Sequence, residues 1–368
     1  SVLFLCFFAA VVVLAYRDLG APGYSCDADL MRRSKTMPKS VHSLRPADID
    51  IIAAMGDSLT AANGAGAEGE DVLAIAIQFR GLSWPIGGDN TLDEHITIAN
   101  ILKKYNPNVF GYSIRTGSAN VWETAHLNAG IPGAHSSKME EQAEDLVRRM
   151  KEHPEIDFFN QWKMVHIFIG GNDICGWCKF NDGVSGEDFT NKIRKGVQYL
   201  KANMPKTIVV LTGMIDIALL RKLDRTQHVC EEIHTFECKC EQNQTISDAA
   251  LSNICHEYMD TMQDLQDSGE FDTTDDFTLV IEPYLETITD LSKNPDGSYN
   301  MDFFAPDCFH FAAYGHAIVG KNLWNNMLQP IGGKTAANLT DNGEPLLCPD
   351  PSCPFIRTTK NSAKCEAY

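Results

Sequence analysis

Two short motifs, far apart in the chain, carry residue types that could form a nucleophile and its base. Segment 56–60, GDSLT, contains Ser58, and segment 307–310, DCFH, places Asp307 three residues before His310. At that spacing the carboxylate can accept the Nδ1 proton and fix the tautomer, while Nε2 takes the serine proton. Taken singly, the first motif predicts a turn or helix cap and the second a surface histidine, so a third element is needed.

The third element is a pair of glycine-containing turns that could bind a developing oxyanion. Segment 170–173, GGND, contains Asn172, and segment 128–133, NAGIPG, ends at Gly133. The Asn172 side-chain amide and the backbone N–H groups of Gly133 and Ser58 could donate three hydrogen bonds to the negative oxygen of a tetrahedral intermediate. This set of residues predicts acyl transfer.

The elements that must position these residues follow from hydrophobic periodicity. Four short apolar runs predict buried parallel strands, and a fifth short segment is a weaker candidate. Helical periodicity lies between the runs, with Ser137 and Ser185 as predicted helix caps. We expect a three-layer α/β/α sandwich around a mostly parallel sheet, with Ser58 at the carboxyl end of its first strand. The predicted strands are 49–55, 163–169, 207–214 and 277–283, with 125–128 as the possible fifth.

Composition excludes several classes of protein. Of the 368 residues, 44% are hydrophobic and 22% are charged, which excludes disordered, collagenous and multi-span membrane proteins. The formal charge of -18, from 49 acidic and 31 basic residues, has the wrong sign for binding nucleic acid. We therefore expect a globular protein that disfavours anionic partners.

The cysteines and the amino terminus indicate an oxidising compartment. Segment 1–16 is an apolar run without an initiator Met, which we interpret as a signal peptide clipped at its start; a retained anchor is the minority interpretation. Without Cys6 the chain has eleven cysteines, an odd number too high for a reduced cytosolic enzyme. Asn243 and Asn338 begin N-glycosylation sequons.

The expected organisation is one catalytic domain with disulfide-tied additions. Residues 17–45 form an N-terminal extension, 46–330 the hydrolase domain and 331–368 a disulfide-tied tail. The cysteines at 230, 238, 240 and 255 indicate a stapled insertion within the domain. Cys175 and Cys178 resemble a redox C-x-x-C pair, but a structural disulfide role is favoured over redox chemistry or zinc.

Together and in this order, the four blocks resemble those of the GDSL, or SGNH, hydrolases, and most closely the phospholipase B subgroup. The similarity covers roughly 46–361. It implies that Ser58 is the nucleophile, that Asp307 and His310 complete the triad, and that Gly133 and Asn172 line the oxyanion hole, with no cofactor. The large vertebrate member has tandem repeats and a C-terminal anchor; this chain resembles one repeat, so we do not carry over the anchor. The segments that carry the similarity are 56–64, 80–89, 127–134, 171–175 and 307–311.

The expected function is that of a secreted serine esterase acting on acyl esters of phospholipids and lysophospholipids, with neutral lipids as further candidates. The alternatives are an extracellular carbohydrate acetylesterase and a non-catalytic lipid-binding protein on the same scaffold, since fold does not fix function. The expected partner is a lipid at a micelle or membrane surface. Attachment to the outer face of the plasma membrane is the alternative location.

Overall fold

A parallel β-sheet forms the centre of the computed structural model, which describes residues 17–69, 71–179 and 184–368. The four predicted strands form, each buried along its whole length, and they lie side by side in chain order. All neighbouring strands pair in parallel, so their carboxyl ends share one edge. The strands are β1 (Ile49–Gly56), β2 (Trp162–Phe168), β3 (Thr207–Thr212) and β4 (Phe277–Glu282). The predicted signal peptide, 1–16, lies outside the described residues.

Helices cover both faces of the sheet, which confirms the three-layer prediction. On one face α5 (Met139–Glu152) packs against β1 and α7 (Gly186–Asn203), and α11 (Asp248–Asp267) packs against α7 and β4. On the other face α12 (Ala313–Met327) packs against α3 (Ile98–Tyr105) and β4. The α-helices in the described residues are α1 (Ala28–Met31), α2 (Ser58–Ala61), α3 (Ile98–Tyr105), α4 (Trp122–Ala125), α5 (Met139–Glu152), α6 (Gly171–Trp177), α7 (Gly186–Asn203), α8 (Leu220–Asp224), α9 (His228–Glu237), α10 (Lys239–Gln242), α11 (Asp248–Asp267), α12 (Ala313–Met327) and α13 (Thr359–Ala363). Short 3₁₀ helices span Val41–Ser43, Pro46–Asp48, Val72–Ala76, Arg80–Leu82, Ser136–Lys138, Ile217–Leu219, Met301–Phe303 and Cys365–Ala367.

Two local predictions are wrong. Segment 125–128 is not a strand: Ala125 ends the single turn of α4, and within the segment only Asn128 forms a bridge, parallel to Ala54 of β1. Ser137 does not cap α5, because it lies inside a 3₁₀ turn and the helix begins at Met139 without a side-chain cap. Ser185 does cap α7, by accepting a hydrogen bond from the Asp188 N–H.

Within the described residues five disulfides stabilise the additions, and three of the five join the insertion to the sheet domain. Cys26–Cys348 joins the N-terminal extension to the tail, and Cys353–Cys365 closes a loop within the tail. The insertion is held by Cys175–Cys238, Cys178–Cys240 and Cys230–Cys308. The C-x-x-C cysteines therefore pair with the insertion and not with each other. Among the described residues Cys255 is the one cysteine outside a disulfide, and it is buried.

Within the described ranges, no helix is both long enough and apolar enough to span a bilayer. The two sequon asparagines lie in turns in which the side chain accepts a hydrogen bond from the N–H two residues later. Asn243 is half-buried and Asn338 is exposed.

Candidate active site

The turn after β1 fixes the position of Ser58. Gly56 is the last residue of β1. A Cβ on this residue would lie 2.4 Å from the Phe168 carbonyl oxygen, so the close approach of the two backbones requires glycine. The Gln142 side chain from α5 accepts from the Gly56 N–H and donates to its carbonyl, each at 2.8 Å. Asp57 caps α2 by accepting from the Leu59 N–H at 2.9 Å, and Ser58 is the first residue of that helix. The hydroxyl thus stands at the carboxyl edge of the sheet.

Three predicted side chains form a continuous hydrogen-bonded chain. His310 Nε2 lies 2.7 Å from Ser58 Oγ, and His310 Nδ1 lies 2.5 Å from Asp307 Oδ2. The other carboxylate oxygen of Asp307 accepts from the His310 backbone N–H at 2.9 Å and from that of Phe309 at 3.0 Å. All three side chains are buried. This geometry lets the imidazole accept the serine proton while the carboxylate stabilises the resulting charge.

Electrostatics at the imidazole favour its proton-accepting role. Burial lowers the pKa of His310, but the Asp307 carboxylate, and then Glu237 and Asp57, raise it, so this pKa stays above its ordinary value. Burial raises the pKa of Asp307, yet the His310 charge and the hydrogen bonds it accepts outweigh burial and leave it lowered. Asp307 therefore remains the carboxylate partner of His310 at neutral pH.

The two predicted oxyanion residues lie on adjoining segments. Asn172 is the second residue of α6 and borders the same cavity as Ser58. Its Nδ2 donates to the Ala134 carbonyl at 3.0 Å, which leaves its second amide hydrogen available to a ligand. Gly133 is exposed on the adjoining turn at φ +74°, and it is not among the residues that line the cavity.

The neighbouring residue anchors that turn. Asp173 accepts from the Ser136 N–H at 2.8 Å and from its hydroxyl at 2.6 Å. Asn172 and Asp173 together therefore attach the segment carrying Gly133 to α6. The same hydrogen bonds thus hold both candidate oxyanion donors, Asn172 and Gly133, in position.

An apolar cavity opens beside the Ser58 hydroxyl. It is narrow, with about 30 Å³ of space accessible to the centre of a water molecule. The polar end of the cavity is formed by residues of the Ser58 turn and of α6. Aromatic and aliphatic side chains form the remainder of its lining. An alkyl chain placed there would exchange water for apolar contact. The apolar lining consists of Leu59, Phe168, Met214, Ile215, Ile217, Leu220, Phe304, Phe309 and Phe311.

One acidic residue near the imidazole was missed by sequence reasoning. A carboxylate oxygen of Glu237, at the end of α9, lies within 4.8 Å of ligand atoms of Asp307 and His310. Its Oε2 is buried without a hydrogen-bond partner, and burial followed by repulsion from Asp307 raises the pKa of Glu237 to about 7. No sequence motif indicates Glu237. The one feature that could have indicated it is the adjacent Cys238, because disulfides hold the insertion against the loop that carries Asp307 and His310.

A second missed residue is a buried arginine that joins loops behind the site. The Arg80 guanidinium is fully buried and donates to the carbonyls of Gly117, Asn128 and Gly130 and to the Gln78 side chain. It lies in the 80–89 segment that carries part of the family resemblance, so that segment contained the signal. Arg80 holds together loops behind the site and does not border the cavity.

Among the residues that the structure describes, two groups of side chains have types and separations that could hold a metal ion. The first is Glu237 with Asp307 and His310, where the histidine is already engaged by Ser58 and Asp307. The second, buried group contains Asp224, His234 and Glu241.

In this second group the carboxylates already face protein cations. His234 Nδ1 lies 2.8 Å from Asp224, and the Arg221 guanidinium lies 3.8 Å from Glu241. Burial lowers the pKa of His234, but Asp224 and Glu241 outweigh burial and raise it, which favours the charged imidazolium. This second group therefore does not require a metal to balance its charge.

The chain matches the model of one protein family and several curated proteins. The GDSL-like Lipase/Acylhydrolase family model matches residues 52–323. The chain is 41% identical to rat (Rattus norvegicus) "Phospholipase B1, membrane-associated" and 40% identical to its human (Homo sapiens) counterpart, in each case over 89% of this chain and 23% of the relative. It thus spans about a quarter of the length of these relatives.

A solved structure of a GDSL-like lipase from Parabacteroides merdae aligns with a TM-score of 0.40 and 14% identity. The alignment covers 75% of this chain and 94% of the other. That likeness is too distant to bear on the site.

Proposed function

The chain belongs to the GDSL-like lipase/acylhydrolase family of carboxylic ester hydrolases, in its phospholipase B-related branch, and we propose that it hydrolyses the acyl esters of phospholipids and lysophospholipids with Ser58 as nucleophile. The observation that carries the proposal is the hydrogen-bonded chain from Ser58 through His310 to Asp307 at the mouth of an apolar cavity.

In the proposed acylation step, Ser58 Oγ attacks the ester carbonyl as His310 Nε2 takes the hydroxyl proton. Asp307 accepts from Nδ1–H and stabilises the imidazolium. The carbonyl oxygen, now negative, receives hydrogen bonds from Asn172 Nδ2 and from the N–H groups of Gly133 and Ser58. Collapse of the tetrahedral intermediate breaks the ester C–O bond, and His310 returns the proton to the departing alcohol.

In the proposed deacylation step, water replaces that alcohol and His310 again acts as base. Attack on the acyl-serine carbonyl forms a second tetrahedral intermediate, which expels Ser58 Oγ as it regains its proton. The products are a fatty acid and either a lysophospholipid or, from a lysophospholipid, a glycerophospho-alcohol. No cofactor takes part in either step.

The lining of the cavity supports a long-chain acyl substrate. Each methylene moved from water into apolar surroundings contributes about 0.8 kcal/mol. Acetyl esters would leave the lining formed by Phe304, Phe309, Ile217 and Leu220 unused. A carbohydrate acetylesterase has no need of such a cavity, so the lipid substrate is the better match, with neutral lipids as further candidates.

We also propose that the protein acts outside the cell. Five disulfides are consistent with an oxidising compartment. Within the proposed layout, 46–330 is the catalytic domain, and the extension 17–45 and tail 331–368 are linked to each other by Cys26–Cys348. Asn243 and Asn338 remain candidate glycosylation sites, and 1–16 the candidate leader.

A product profile tests the substrate assignment. Purified protein is incubated with phosphatidylcholine, lysophosphatidylcholine and an acetylated oligosaccharide, and the products are followed by mass spectrometry. We expect fatty acid from both lipids, ending in glycerophosphocholine, and no products with Ser58→Ala. Acetate release with intact phospholipid would replace the lipid assignment with the acetylesterase. Lipid binding without turnover of any ester would indicate the non-catalytic alternative.

A further inference from the structure

Among the described residues, more than half of the large apolar side chains exposed to solvent lie on segments next to the active-site loops. Of the eleven such residues among those described, six lie on segments bonded to the loops that carry Ser58, Gly133 and the Asp307–His310 pair. We call these six the apolar rim. Its members are Val72, Leu73, Ile77, Ile131, Val229 and Phe236.

The first side of the apolar rim is the excursion that follows the nucleophile turn. The Gly64 N–H donates to the Ile77 carbonyl, and the Phe79 N–H donates to that of Ala62, both at 3.0 Å. Gly64 also approaches the loop before Asp307 so closely that a Cβ there would lie 3.0 Å from the Ala305 Cβ. Leu73, on the 3₁₀ turn of this excursion, is 82% exposed.

The opposite side of the apolar rim is helix α9. Val229 and Phe236 are seven residues apart and share the outer face, whereas Cys230 and His234 are buried on the inner face. The Cys230–Cys308 disulfide joins this helix to the residue after Asp307, and Cys238–Cys175 joins its far end to α6. Phe236 is 84% exposed although covalent bonds hold its helix at the active-site entrance.

Ile131 connects the rim to the oxyanion side of the site. Its N–H donates to the Gly56 carbonyl at 3.1 Å, and it lies two residues before Gly133. The exposed apolar side chains therefore lie on segments that adjoin the nucleophile turn, the oxyanion turn and the triad loop, and they lie outside the lining of the apolar cavity. A soluble enzyme acting on dispersed substrates has no need of such a surface.

The charged residues near the apolar rim indicate which kind of lipid surface it can bind. Exposed Glu68 and Asp71 flank one side, and Glu231 and Glu232 lie on α9, with exposed Arg225 just before that helix and exposed Lys239 just beyond it. Together with the overall charge of -18, these carboxylates repel anionic headgroups. Apolar side chains surrounded by acidic groups match a zwitterionic interface.

We propose that the apolar rim is a docking surface for a zwitterionic phospholipid layer, such as one of phosphatidylcholine, which it contacts with Leu73 and Phe236 foremost. The proposal rests on the proposed function and adds the way in which the substrate reaches the site. Docking places the cavity mouth against the layer, so an acyl chain can enter without crossing water.

The test separates docking from catalysis by using two substrates. Leu73→Asp/Phe236→Asp is compared with wild type for binding to phosphatidylcholine vesicles by flotation, and for hydrolysis of the water-soluble monomer p-nitrophenyl butyrate. Phe159→Asp is the matched control, because Phe159 is 69% exposed but precedes β2 at the opposite edge of the sheet. Melting temperatures are measured for all variants. If the aspartates impair folding, Leu73→Ser/Phe236→Ser replaces them with the same expectations.

We expect the double variant to lose at least about 10-fold in vesicle binding and in phosphatidylcholine hydrolysis, with monomer hydrolysis unchanged. Phe159→Asp should behave as wild type, and vesicles rich in phosphatidylglycerol should bind the wild type less well. Equal binding by the double variant, an equal loss in Phe159→Asp, or no binding by wild type would overturn docking by the rim. Absence of monomer hydrolysis in wild type would instead contradict the proposed function.

Discussion

Replacing Asn172 by alanine separates oxyanion stabilisation from substrate binding. The Asn172 amide uses one hydrogen on the Ala134 carbonyl and borders the cavity with the other available. Removing one oxyanion donor costs about 2.7–4 kcal/mol in the transition state, which corresponds to about 10²–10³ in kcat. The hydrogen bond lost to the Ala134 carbonyl joins two uncharged groups and contributes about 1 kcal/mol to the free energy of unfolding, so the variant should remain folded.

The assay is steady-state hydrolysis of a monomeric p-nitrophenyl ester, with kcat and KM determined separately. Ser136→Ala is the matched control: it removes one hydrogen bond between Asp173 and the turn carrying Gly133 but leaves the Asn172 amide in place. We expect Asn172→Ala to lower kcat 10²–10³-fold with little change in KM, and Ser136→Ala to lower it far less.

Two results would refute this reasoning. A higher KM with unchanged kcat would make Asn172 a substrate-binding residue, because the interaction would then be equally strong in the ground state. An equal loss of kcat in Ser136→Ala would mean that Asn172 acts by anchoring the turn.

Three further predictions concern the base, the insertion and the thiol. Activity should fall at acid pH as His310 becomes protonated. Glu237→Gln should move the acid limb of the pH–kcat/KM profile to lower pH, because it removes a negative charge that raises the pKa of His310. A profile unchanged by Glu237→Gln would contradict this. Cys230→Ser/Cys308→Ser should lower the free energy of unfolding by about 2–5 kcal/mol and reduce kcat, measured by thermal melting and turnover; full activity at wild-type stability would exclude the supporting role of the insertion. Non-reducing peptide mapping of the purified protein should find Cys255 as a thiol that is unreactive until the protein unfolds, since burial raises its pKa. Rapid alkylation in the native state would contradict its burial.

The layered fold follows from the sequence because its strands are continuous apolar runs. A strand buried on both faces leaves an uninterrupted hydrophobic signature, and all four predicted strands begin within one residue of their observed start. Segment 125–128 misled the prediction because its apolar residues are too few to distinguish a strand from the helical turn that Trp122 begins. The Ser137 cap failed because the same S-x-x-E signal is compatible with the 3₁₀ turn that precedes α5.

The site could be anticipated where its residues are close to strand ends, and not where they arrive through long-range contacts. Ser58 and Asn172 lie two and four residues after the ends of β1 and β2, and parallel strands bring such positions to one edge. Asp307 and His310 share one turn, so their pairing is local. Glu237 reaches this turn because disulfides hold its insertion there, and sequence spacing does not determine cysteine pairing. The catalytic roles of these residues remain predictions.

The central claim, that Ser58 is a nucleophile activated by His310, is tested most directly by covalent labelling. Wild-type protein and the Ser58→Ala and His310→Ala variants are treated with a fluorophosphonate, digested and examined by peptide mass spectrometry. We predict a single phosphonylated site at Ser58 in wild type, no label in Ser58→Ala and slow labelling in His310→Ala. A label on a different serine, or esterase turnover that persists in Ser58→Ala, would contradict the account.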